Sequence, residues 1–183
     1  MWARIHNGAV AELTDIDPKG RFHPSIKWES ADASVSIGYF FDGNVYNKPE
    51  VPLADLVVEK LTELEQALSS ALDIGMPYIM TDGTEEVVQT RPEDEPNLLG
   101  LAIEARDLRD AGETSAVQQL RVKSNKVYEL TPLEMIEVTD AAKLHKKQLL
   151  GQSWALKDQV RGIVADEALT DEEKRAAIEE INW

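Results

Sequence analysis

The chain has no cysteine. That excludes disulfides, thiolate nucleophiles and Cys-ligated zinc or iron–sulfur sites, and it fits a reducing compartment. Aromatic residues make up only 6% of the 183 positions, and the apolar total of 43% permits a core but not a large one. Cations are scarce as well: 19 Lys and Arg stand against 34 Asp and Glu, for a formal charge of −15. Phosphate and anionic headgroups are bound through Lys and Arg, so neither nucleic acid nor a membrane surface is expected as a partner. No stretch approaches the ~20 apolar residues of a membrane span. The opening MWARIHNGAVAEL has no apolar run of the signal-peptide kind, so folding in the cytoplasm is expected.

Signatures of catalysis are also missing. There is no phosphate loop, no dinucleotide-binding glycine pattern and no nucleophile elbow. His6, His23 and His145 are scattered, with no partner at metal-site spacing. Pro92–Glu95 and Asp166–Glu167 lack the order of a calcium loop and read as solvated turns and helix starts. Carboxylates are so numerous that a pair alone says nothing; a catalytic dyad needs environments that push its two pKa values apart. The expectation is a non-enzymatic protein with no cofactor and no metal.

What the sequence does hold is organisation. Leu53–Ile74 has no Pro or Gly and lies between Pro52 and Gly75-Met76-Pro77. Ala54, Val57, Leu61, Leu64, Leu68 and Ala71 recur at spacings of 3, 4, 3, 4 and 3, a heptad seam of the kind that winds helices together. Val57, Leu61, Leu64 and Leu68 are therefore the candidate self-association seam, giving a dimer or trimer. Leu53, Leu56, Val58 and Leu72 widen the apolar surface, which suits internal packing equally well.

Before this helix, Asn7-Gly8 between short apolar strands marks a type I′ hairpin. Asp17–Gly20 is a turn, Ile26–Trp28 a short strand, and Val35–Ile37 and Tyr39–Phe41 further strands, with Gly38–Phe41 expected to be buried. Residues 1–52 thus read as a small antiparallel β module, of a size at which a lone core is marginal. After the helix, Asp82-Gly83 and Ser124-Asn125 mark two more hairpins. A helix is expected over Asn97–Ala111, stopped by Gly112. Thr131-Pro132-Leu133-Glu134 opens a long helix reaching about Asp166, with Gly151 as a candidate kink, and Thr170–Glu173 opens a short last one. Residues 76–183 read as ββα-ββα, so the whole chain is α+β: β module 1–52, connecting helix 53–75, C-terminal module 76–183.

Two tryptophans and one cluster of cations stand out. Trp154 falls in the apolar stripe of the long helix and is expected in the core. Trp183, the last residue, is a candidate partner contact, since Trp is enriched at binding hot spots. Lys143, Lys146 and Lys147 with His145 form the basic patch, a helix surface that could also meet an acidic partner or the acidic helix 53–74.

The order of the Asn7-Gly8 hairpin, Phe22-His23-Pro24, Trp28, Gly38-Tyr39 and Asp42-Gly43 resembles the N-terminal segment of many tailed-phage and prophage tail proteins encoded near tail fibres. From about residue 78 onward a second resemblance takes over. The Thr81-Asp82-Gly83 hairpin, the 97–111 helix, the hairpin reaching Leu130-Thr131, Leu156-Lys157-Asp158-Gln159-Val160 and Ile178–Trp183 are similar to a domain of uncharacterised function in such tail proteins. Val160 stands where that pattern usually has isoleucine. The resemblance implies a tail-fibre-associated protein without catalytic residues. Its partner would be the tail fibre or baseplate, and its role that of a fibre-assembly chaperone in the host cytoplasm or of a component retained in the virion, linking fibre to baseplate. It also makes a trimer the natural oligomer, because tail fibres are trimeric.

Overall fold

The computed structural model describes residues 1–115 and 117–183. The chain divides into two compact units, Met1–Pro52 and Leu53–Trp183.

The first unit is a five-stranded antiparallel sheet. Its strands are β1 (Trp2–His6), β2 (Ala9–Thr14), β3 (Lys27–Ser30), β4 (Phe40–Phe41) and β5 (Tyr46–Asn47), in the order β3-β1-β2-β4-β5. Asn7 and Gly8 have φ of 53° and 79°, the two positive values a type I′ turn requires. The core is small: Ala3, Val10, Ala31 and Val35 are buried, flanked by Ile5, Leu13, Tyr39 and Tyr46. Two expectations are corrected here. Val35–Ile37 is no strand, because the Asp32 carboxylate accepts the Ser34 N–H at 2.7 Å and holds the backbone in a turn. Gly38–Phe41 is no buried strand either: pairing is confined to Phe40–Phe41, and Phe40 is 54% exposed.

The second unit runs α1 (Leu53–Ile74), hairpin β6 (Met76–Ile79) and β7 (Glu85–Val88), a 3₁₀ turn at Pro92–Asp94, and α2 (Glu95–Asp110). It continues through hairpin β8 (Gln118–Arg121) and β9 (Val127–Leu130) to α3 (Pro132–Ala165) and α4 (Asp171–Glu179). The architecture is therefore mixed α+β: an N-terminal antiparallel sheet, then helices and small hairpins, ending in a long and a short helix. Local chemistry sets the boundaries. Glu134 Oε2 accepts from the Thr131 N–H and hydroxyl at 2.8 Å each, and Thr131 Oγ1 accepts the Glu134 N–H in return. Thr170 and Glu173 repeat the arrangement for α4, so each box satisfies otherwise orphaned N–H groups. The two hairpins are joined by a 2.9 Å bond from the Lys123 N–H to the Val87 carbonyl. α2 begins at Glu95 rather than Asn97, because Arg91 grips the Asp94 carboxylate at 2.9 Å and 3.0 Å and fixes the entry turn.

α3 organises this unit. It is unbroken through Gly151, since the i→i−4 ladder needs no Cβ. At 1.5 Å per residue it is a rod of about 51 Å. Its first half carries Met135, Val138 and Ala142 into a core with Met76, Met80, Val88, Ala105, Leu120, Val122, Tyr128 and Leu130. Its second half carries Val160 into another core with Leu64 of α1, Ile178 of α4 and Ile181.

Candidate functional site

The heptad residues of α1 point into their own unit. Leu64 is 1% exposed and packs with Val160, Ile178 and Ile181; Val57 and Leu61 pack partly buried against the same cluster, and Leu68 is half-buried. The seam is thus engaged by α3 and α4 of its own chain. On the same face the Lys60 ammonium donates to the Ile181 carbonyl. Trp183, just beyond, is 37% exposed.

Trp154 is not in the core: it is 63% exposed. The geometry of α3 explains the correction. At 100° per residue, position 154 lies about 120° around the helix from Val160 and about 160° from Leu156, the residues that face the second core. Ser153, one position earlier, takes the inward place and is fully buried.

Trp154 instead ends a groove of about 570 Å³ between α2 and α3. The two helices run antiparallel. Arg106 bridges to Asp140 at 2.7 Å near one end, and Lys146 pairs with Glu95, the first residue of α2, near the other. The floor is apolar, made by Leu98 and Ala102 from α2 and Ala142 and Leu150 from α3. Leu99, 58% exposed, and Trp154 stand on its rim. Five cations line the groove, Arg91, Arg106, Lys143, Lys146 and Lys147, against two carboxylates, Glu95 and Asp140. In a chain with 34 acidic and 19 basic residues this is a local reversal of charge. Arg91 is already paired: its guanidinium holds the Asp94 carboxylate at 2.9 Å, which raises its pKa.

The basic patch seen in the sequence is therefore divided. Lys143, Lys146 and Lys147 line the groove, whereas His145 does not, and its Nε2 is buried with no hydrogen-bond partner among the described residues. The legible signal was the spacing: Lys143, Lys147, Leu150 and Trp154 are i, i+4, i+7 and i+11, one stripe along a helix.

The groove offers an apolar floor, an aromatic side chain and a charged rim. Among the described residues no group of three or more His, Asp or Glu could hold a metal ion, and no helix is long and apolar enough to cross a membrane. These features define the second unit as a helix-and-hairpin α+β module with an amphiphilic interhelical groove. The chain belongs to the DUF4376 family, a domain of unknown function, which it matches over residues 55–180, from the first turn of α1 to the end of α4. Neither a search of curated proteins nor one of solved structures finds a match.

Proposed function

We propose that this is a non-enzymatic, partner-binding protein of tailed-phage tail assembly, acting as a chaperone that holds the trimeric tail fibre or its folding intermediates in the host cytoplasm. The observation that carries the binding role is the α2/α3 groove, in which exposed Leu99 and Trp154 border an apolar floor inside a basic rim. Exposed apolar surface rimmed by polar groups marks interaction sites. Attribution to phage tails rests on the sequence resemblances on either side of α1. A holding role needs no nucleotide: covering apolar surface and strand edges on an intermediate is enough to prevent misassociation.

The division into two units supports a second reading, a virion component that links fibre to baseplate, each unit gripping a different neighbour. Self-association as a dimer or trimer is compatible with either reading, but would have to use surfaces other than the α1 leucines that pack inside the chain. Mass spectrometry of purified particles separates the two. A chaperone is absent from particles and its deletion leaves fibres insoluble or unassembled; a linker is present in stoichiometric amount. Soluble, trimeric, infective fibres after deletion of the gene would reject both.

A further inference from the structure

α3 is more than twice as long as α2, and the two stop matching at the Glu95–Lys146 pair. Beyond that point α3 runs on for about 19 residues, some 28 Å. α1 and α4 cover the side of this stretch that carries Val160. On the side that faces α2 lie Leu150 and Trp154, in line with Lys143 and Lys147, up to Lys157, where Glu65 of α1 closes the stripe. The seat that α2 occupies thus continues past its first residue as a groove, with Thr90 and Arg91 on one wall and Leu150 and the 63%-exposed Trp154 on the other.

The charges on this stripe are available. Arg91, Arg106 and Lys146 already have carboxylate partners, whereas Lys143 and Lys147 are exposed and make no ion pair or hydrogen bond among the described residues. An occupant must therefore bring carboxylates to two lysines one helical turn apart and apolar side chains to Leu150 and Trp154. A helix carrying acids and apolar residues at i, i+3, i+4 and i+7 does both, and its backbone needs no partner from the groove. A second copy of the chain is a poor occupant, because two bodies of −15 repel everywhere except at the contact.

We propose that the stripe of α3 formed by Lys143, Lys147, Leu150 and Trp154 docks an acidic amphipathic helix of another protein, laid along the groove at the N-terminal end of α2. The inference rests on the reading of the groove as a docking site and adds the chemistry of its occupant. The helix sets its apolar side on Trp154 and Leu150, and its carboxylates meet the two free lysines.

The test uses the full chain and synthetic probes: an amphipathic Leu/Glu helical peptide, its Leu/Lys counterpart, and the Leu/Glu peptide broken by proline. Calorimetry is expected to show binding of the first alone, weakening as salt rises. Trp154→Ala should weaken it by roughly tenfold or more, as expected of an aromatic anchor. Lys143→Glu/Lys147→Glu should abolish that binding and admit the Leu/Lys peptide. All three side chains are exposed, so the variants should keep the parent's circular dichroism and melting. Equal binding of both charge types, indifference to the charge reversal, or a Trp154-dependent doubling of mass in light scattering would overturn the proposal. Photo-crosslinking from Leu99→p-benzoylphenylalanine to purified fibre separates the two levels. Contact with fibre but no preference for the acidic helix rejects the occupant and keeps the docking site; neither contact nor peptide binding rejects both.

Discussion

The ammonium of Lys60 donates a buried 3.0 Å hydrogen bond to the backbone carbonyl of Ile181, 121 positions along the chain, and pairs with Glu63 at 2.9 Å. Lys60 is only 8% exposed, so its stem lies packed while its charge is spent on two acceptors. The placement is physically apt: Ile181 follows the C-terminal end of α4, where carbonyls lack N–H partners and the helix dipole favours a cation. This bond and the Leu64 cluster together fasten α4 to α1.

Lys60→Met keeps the stem and removes the donor. A hydrogen bond to a charged group is worth about 1.5–3 kcal/mol, so the unfolding free energy of the second unit should fall by that amount. Urea titration followed by circular dichroism measures it. An unchanged midpoint would mean that the Ile181 carbonyl finds water at no cost.

Ser153 presents the opposite case. Its hydroxyl is fully buried and has no partner among the described residues. An unsatisfied buried hydroxyl costs about 1–3 kcal/mol, and Ala is also the better helix former. Ser153→Ala should therefore raise stability by about 1 kcal/mol, which for a chain of this size is a melting-temperature gain of roughly 2–4 °C. A lower melting temperature would show that the hydroxyl has an acceptor after all.

Gly75 joins α1 to β6 with φ of 85°. A Cβ there would lie 2.7 Å from both Val87 Cγ1 and the Val88 carbonyl oxygen. Backbone strain and overpacking add, so Gly75→Ala should cost about 2–4 kcal/mol. Gly151→Ala is the control: its Cβ would meet nothing within 4 Å, and the helix should gain about 0.5–1 kcal/mol. Similar melting temperatures for the two variants would contradict the geometry.

These positions also show what could be read in advance. Turns and caps were legible because their chemistry is local: Asn7-Gly8, Asp82-Gly83, Thr131 with Glu134 and Thr170 with Glu173 carry their own geometry wherever they fall. Which face of a helix is covered was not. The Leu61–Leu64–Leu68 spacing is the same for a coiled coil and for packing on α3 and α4, since periodicity names a stripe and not its occupant. Hydrophobicity alone points Trp154 inward and passes over Ser153; the helix phase, set by Leu156 and Val160, reverses both. The groove itself is visible in the sequence only as a cluster of lysines, because its existence depends on α2 beginning opposite Lys146, a fact of length and crossing that no single segment contains.

The Asp82 turn gives a pH dependence with a definite sign. Its carboxylate accepts the Thr84 N–H at 2.9 Å and the Lys126 ammonium at 3.0 Å, which lower its pKa from 3.8 to about 2, the Thr84 bond being the larger cause. A carboxylate with a depressed folded pKa stabilises the fold above its unfolded pKa, and that stabilisation is lost as pH falls through the folded value. The window is therefore from about pH 4 down to about pH 2. Across it the denaturation midpoint of the parent should fall more steeply than that of Asp82→Asn. Because the group is exposed, salt screens the Lys126 share but leaves the Thr84 bond. Lys126→Met should consequently keep most of the parent's slope, and a slope as flat as that of Asp82→Asn would assign the effect to the ion pair instead.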